Sequence, residues 1–138
     1  MRITPLAVFF ALFAATPAFG QTPGQARALC IDTFNVYFEP EAAAVPVSAA
    51  EILRLIAERI KKCPSGRILV TGHVDGFEIR FRPALGADRS AVVAATLLRQ
   101  LPMGVRIIIT DAGYTRPARK TALGIKEPLN RRVEIMLQ

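Results

Sequence analysis

The sequence predicts a two-layer α/β domain: a mixed four-stranded sheet carrying two helices, in the order β-α-β-α-β-β. Three observations carry this. Two helical stretches, each bounded by turn residues, alternate with strand-like runs. Strand–helix–strand units close through right-handed crossovers, which bring both helices to one flank of the sheet. The last strand follows a long Pro-containing loop instead of a full helix, which frees it to run antiparallel. A chain of 138 residues fits one such domain.

The first twenty residues are read as an export signal and not as fold. Arg2 precedes "PLAVFFALFAATPAFG", an uncharged run whose core of about ten residues has the length of a signal-peptide h-region. Ala18-Phe19-Gly20 places small residues at −3 and −1, so cleavage is expected before Gln21. The rival reading, a membrane span, needs ~20 apolar residues. No Cys follows the small residues directly, which argues against a lipid anchor. The expected organisation is a signal peptide over 1–20, a polar leader over 21–29 and the domain over 30–138.

Export changes the reading of Cys30 and Cys63, the two cysteines of the chain. In an oxidising compartment such a pair in a small domain favours a disulfide over two free thiols. The bond would tie the start of the first strand to the end of the first helix and contribute ~2–4 kcal/mol.

"FNVYF" (Phe34 to Phe38) is aromatic and branched and stops at Pro40, as a strand does. The loop "EPEAAAVPV" follows. Ser48-Ala49-Ala50-Glu51 forms a capping box. The helix behind it is expected to bury Ile52, Leu55, Ile56 and Ile60 and to end at Pro64-Ser65-Gly66. "RILVTGHVD" (Arg67 to Asp75) is the second strand. A second helix is expected over Ala84 to Leu101, with Leu85, Val92, Val93, Leu97 and Leu101 on its apolar face. "VRIIITD" (Val105 to Asp111) suits a strand covered on at least one face. The loop "GYTRPARKTALGIKEP" holds a helical turn around Thr121 to Gly124. In "LNRRVEIMLQ", Arg131, Val133, Ile135 and Leu137 alternate with Asn130, Arg132, Glu134 and Met136, the period of a strand.

The net charge of +7 favours anionic partners. Nucleic acid is set aside: the basic residues form only doublets such as Lys61-Lys62, and two Tyr with no Trp offer little to stack on bases. Enzyme readings fare poorly. A single His cannot assemble a His-ligated metal site, and a Cys–His nucleophile would need the disulfide open. No phosphate-binding, dinucleotide-binding or nucleophile-elbow motif is present. Asp75 and Glu78 sit three apart with nothing else converging, a weak acid/base pair. No catalytic residue, metal or cofactor is expected.

The informative stretch is "TGHVDGFEIRFRPALGADRS" (Thr71 to Ser90). Ligands of α/β sheets bind beyond the carboxyl ends of strands, where Asp75 lies. Arg89 sits near the amino end of the second helix, a place that suits anions. One fixed acceptor and one bidentate donor could hold a zwitterion. They could instead pair with each other and pin the loop, and spacing alone favours that internal bridge. His73 is read as a hydrogen-bonded structural residue and not as a base.

The stretch resembles the OmpA-like carboxy-terminal domain, whose pattern runs T-G-H-T-D, then Y-N-x-x-L-S-x-x-R-A, then G-Y-G-x-x-x-P, and ends N-R-R-V-E. Here stand Thr71-Gly72-His73-Val74-Asp75, then Phe81-Arg82-Pro83-Ala84-Leu85-Gly86-Ala87-Asp88-Arg89, then Gly113-Tyr114-Thr115 with Pro117, then Asn130-Arg131-Arg132-Val133-Glu134. The four motifs run in order over almost the whole chain after the signal. The cysteines also resemble those of a disulfide-bearing subset of that family.

The resemblance implies non-catalytic binding of peptidoglycan through the diaminopimelate of its stem peptide. Asp75 would take the free ammonium and Arg89 the carboxylate, with Gly72, His73, Leu85, Asn130 and Arg131 in support. It implies a periplasmic, outer-membrane-associated place in the cell envelope, with an outer-membrane protein as a further partner. The departures are Val74 for Thr, Arg82 for Asn, Gly86 for Ser, and a segment one residue shorter between Asp75 and Arg89. Arg82 is the most consequential, since it could engage a second carboxylate of the peptide or close on Asp75. The alternative is a domain of the same fold that has lost the wall ligand and serves a structural or protein-interaction role.

Overall fold

The computed structural model describes residues 31–62 and 66–138. The expected signal peptide and leader, both cysteines and the expected disulfide lie outside the described residues.

Strand β1 (Thr33–Tyr37) leads to helix α1 (Ala49–Lys62), strand β2 (Arg67–His73), a short helix α2 (Glu78–Phe81), helix α3 (Leu85–Leu98) and strand β3 (Arg106–Gly113). A 3₁₀ turn (Pro128–Asn130) then precedes strand β4 (Arg132–Leu137). The sheet order is β1-β4-β2-β3. β2 and β3 are parallel, and β4 runs antiparallel between β1 and β2. The last strand thus enters the middle of the sheet, as its unbroken alternation allows. Val133, Ile135 and Leu137 turn to the helices and join Val36, Ile68 and Val70 in the core.

Both long helices bury part of the expected stripe, Ile56 and Ile60 in α1 and Leu85, Val93 and Leu97 in α3, and differ in the rest. In α1 the buried stripe is Ala49, Leu53, Ile56, Ala57 and Ile60; Leu55 is 48% exposed and Ile52 only partly buried. The spacing 49, 53, 56, 60 follows the helical period, and its small alanines let the helix approach the sheet. In α3 the buried stripe is Leu85, Gly86, Arg89, Ser90, Val93, Ala94 and Leu97. Val92 is exposed, and Leu101, beyond the helix end, is partly buried against the core. A charged residue therefore lies in the middle of the buried face.

Two further differences matter. β3 is an edge strand: Ile107 packs against the core, while Ile109 is half-exposed. The apolar run reflects β propensity more than burial. The segment read as loop after Asp75 contains α2, so the described residues hold three α-helices where two were expected. The turn expected near Thr121 to Gly124 is a plain turn at Leu123 and Gly124, where Gly124 adopts a left-handed φ of 87°.

Candidate functional site

β2 ends at His73, and the next residues deliver Asp75 into a buried position, 1% exposed. Asp75 Oδ1 accepts the backbone N–H groups of Phe77 (3.0 Å) and Glu78 (2.8 Å). These are donors at the open end of α2, which a short helix leaves unsatisfied. Asp75 Oδ2 accepts the Glu127 backbone N–H at 3.1 Å and Arg131 Nη1 at 3.1 Å. Arg131 Nε donates to the Phe38 carbonyl at 3.2 Å. The carboxylate is thus paired by Arg131, and by neither Arg89 nor Arg82.

Arg89 is wholly buried. A guanidinium offers five N–H donors, and each finds an acceptor. Nε donates to the Ala42 carbonyl at 2.8 Å. Nη1 donates to the His73 carbonyl at 3.3 Å and to Glu78 Oε2 at 2.8 Å. Nη2 donates to the Glu39 carbonyl at 3.2 Å and to Glu78 Oε1 at 2.8 Å. The ring of Phe38 lies 5.1 Å below the guanidinium carbon. The Asp75–Arg89 bridge that spacing favoured is not formed: Arg89 is bridged to Glu78 instead, and Asp75 to Arg131.

Glu78, weighed from the sequence only as a weak acid/base pair with Asp75, is the partner of Arg89. It is 1% exposed, and its carboxylate also accepts the backbone N–H groups of Asp75 (3.3 Å) and Glu41 (2.9 Å). The available signal was its position: an acid flanked by Phe77 and Ile79, within reach of a buried Arg. Glu41 has φ of 58°, a conformation uncommon outside glycine. It is held there by Glu78 on its N–H and by Arg82 Nη1 on its carbonyl at 2.6 Å. Arg82 therefore ties the loop after β1 to the end of α2, and its contact is a backbone carbonyl, not Asp75.

The supporting residues divide. Leu85 is core beneath the site. Gly72 lets α3 cross β2: a Cβ there would meet the Gly86 carbonyl oxygen at 1.8 Å, and one on Gly86 would meet Asp111 Oδ1 at 2.3 Å. Asn130 is fully buried and staples the β3–β4 loop, accepting from the Arg119 N–H at 2.9 Å and donating to the Arg119 carbonyl at 2.8 Å. Val74 is also fully buried. His73 is not the hydrogen-bonded residue expected: it is 1% exposed, and neither ring nitrogen has a partner among the described residues. Burial first, and then the nearby Arg132 and Arg116 charges, lower its pKa to about 4 against the opposing pull of Glu134 and Asp111. A cleft of ≈ 410 Å³ opens beside Arg131, lined also by Tyr37, Glu39, Ser48 and Leu129.

No protein-family model matches the chain. It is 31% identical over 104 residues to the peptidoglycan-binding protein ArfA of Mycobacterium tuberculosis, covering 74% of this chain and 32% of ArfA. The chain thus spans about a third of the length of the curated relatives it matches. Among solved structures, the OmpA-like domain of FopA1 from Francisella tularensis superposes with a TM-score of 0.64 at 17% identity, over 76% of this chain and 70% of that one. The peptidoglycan-associated lipoprotein of Burkholderia pseudomallei gives a TM-score of 0.63 at 26% identity, over 75% of this chain and 89% of that one. The mixed four-stranded sheet with its helices on one flank is the fold of these domains. The chain has the OmpA-like fold, and in sequence it is similar to ArfA and to the peptidoglycan-associated lipoprotein.

Proposed function

We propose that this chain is a non-catalytic cell-envelope module that binds peptidoglycan. The observation that carries the reading is its likeness to ArfA and to the peptidoglycan-associated lipoprotein, whose names state that association, joined to the four motifs in register. In the finer form of the proposal, diaminopimelate of the stem peptide is the group recognised. Its ammonium goes to Asp75 and its carboxylate to Arg89, two charges buried near the carboxyl end of β2. The place of action is the periplasm, with an outer-membrane protein as partner.

One observation favours a second reading, a domain of this fold that does not take the wall: both charges are already satisfied from within. Sedimentation with purified sacculi separates the two. Under the first reading the wild-type protein pellets, and free diaminopimelate returns it to the supernatant. Protein that stays in solution at every sacculus concentration sinks the first reading and leaves the second.

A further inference from the structure

We infer that Glu78 is a built-in occupant of the Arg89 site and the residue that sets its specificity: a carboxylate ligand can reach Arg89 only by displacing it. The inference rests on the peptidoglycan reading for the identity of the ligand, but its geometry stands alone. Glu78 Oε1 and Oε2 each lie 2.8 Å from a different terminal nitrogen of Arg89. This is the two-pronged arrangement in which a guanidinium receives a carboxylate. The other three N–H groups of Arg89 go to backbone carbonyls of residues 39, 42 and 73. The edge facing Glu78 is therefore the one edge that takes a carboxylate.

The occupant sits on a detachable piece. α2 has four residues, too few to hold a helix by its own hydrogen bonds. It is joined to the loop 39–42 through Glu41 N–H to Glu78 and Arg82 to the Glu41 carbonyl, and its entry is tied to the β3–β4 loop through Phe77 N–H to the Ile125 carbonyl and Gly124 N–H to the Gly76 carbonyl. Phe81 on α2 is 62% exposed, so little apolar burial anchors the helix end. Asp75 is bonded to Glu78 through the Glu78 backbone N–H and through its own N–H, but its charge is paired with Arg131, so a Glu78 side chain that leaves Arg89 does not take the counter-charge of Asp75 with it. A ligand carboxylate entering in place of Glu78 restores both bonds to Arg89, and Glu78 moves to solvent, where its charge is hydrated. The exchange replaces one charged pair by another, so the site admits carboxylates and rejects neutral amides, which leave Arg89 uncompensated.

The test is calorimetric titration of a diaminopimelate-containing tripeptide into wild type and Glu78→Gln, with wild-type sacculus sedimentation alongside. Glu78→Gln keeps the volume and removes the competing charge. The expected result is binding at least tenfold tighter in Glu78→Gln than in wild type, and none of that gain in Glu78→Gln/Arg89→Gln. Equal affinity in wild type and Glu78→Gln overturns the inference, as does absence of peptide binding to both. If wild type still pellets with sacculi in those cases, the peptidoglycan reading survives without it. Tight binding by Glu78→Gln alone, with wild type left in the supernatant, upholds the inference and removes the reading for the natural chain. Where Glu78→Gln does not fold, ¹⁵N spectra of the wild-type arginine side chains decide. Saturating peptide is expected to shift the Arg89 Nε–H resonance, and an unmoved resonance overturns the inference.

Discussion

Arg131 Nη1 lies 3.1 Å from Asp75 Oδ2, and both side chains are buried. The pair spans the sheet end, linking the β2–α2 connection to the segment entering β4. Removing one partner of a buried pair leaves an uncompensated charge, which costs ~3–5 kcal/mol. Arg131→Met is therefore expected to lower the unfolding free energy by about that amount in urea titrations. Arg82→Ala loses one exposed contact to a carbonyl and is expected to cost less than about 1.5 kcal/mol. An equal loss in the two variants would contradict this assignment of partners.

Gly72→Ala tests the close crossing of β2 and α3. The new methyl would sit 1.8 Å from the Gly86 carbonyl oxygen and 2.4 Å from its carbon. These are backbone atoms, so the helix itself must shift. Overpacking of this kind costs ~1–3 kcal/mol or more, and the thermal midpoint is expected to fall accordingly. At Gly66 nothing lies within 4 Å of an added Cβ, so Gly66→Ala serves as the neutral control.

These two sites show what could be read without coordinates. The order of elements along the chain was legible because Val133, Ile135 and Leu137 alternate without interruption, and because Pro83 and Pro102 bracket α3; the order of strands in the sheet was not. That Asp75 stands at the carboxyl end of β2 and Arg89 near the amino end of α3 was also legible; that both are buried was not. Their partners were not, because ion pairing depends on separations that a chain makes only on folding. Arg131 is 56 residues from Asp75, and Glu78 reaches Arg89 only because α2 turns its first residue inward. Helix faces were read only in part for a related reason: large residues attract attention, whereas the packed stripe of α1 also uses Ala49 and Ala57 to bring the backbone close.

The corrected face of α1 makes its own prediction. Leu53 is fully buried in the core and Leu55 half-exposed. Leu53→Ala is expected to cost ~2–5 kcal/mol, the range for a buried leucine whose cavity cannot collapse. Leu55→Ala is expected to stay within about 1 kcal/mol. Denaturant midpoints of the two variants, with unchanged slopes, measure this; the reverse ranking would restore the face built on Leu55.

His73 makes stability depend on pH with a definite sign. Its folded pKa of about 4 lies below the value of 6.5 for an ordinary imidazole. Between those values the unfolded chain binds a proton that the folded chain refuses, so unfolding gains on acidification. The stability associated with a neutral His73 is complete above pH 6.5 and is lost as pH falls toward 4. Arg132 and Arg116 oppose the protonated ring, while Glu134 and Asp111 partly offset them. Carboxylates titrate at the lower end of the same window, so the wild-type curve alone does not isolate the imidazole. The comparison with His73→Leu does: the substitution removes the titrating ring and its two unpartnered nitrogens while keeping an apolar side chain in the buried position. The difference in unfolding free energy between variant and wild type is expected to be flat from pH 8 to about 6.5 and then to shift in favour of the variant down to about pH 4. A difference that stays constant across that window would mean His73 titrates normally in the folded state.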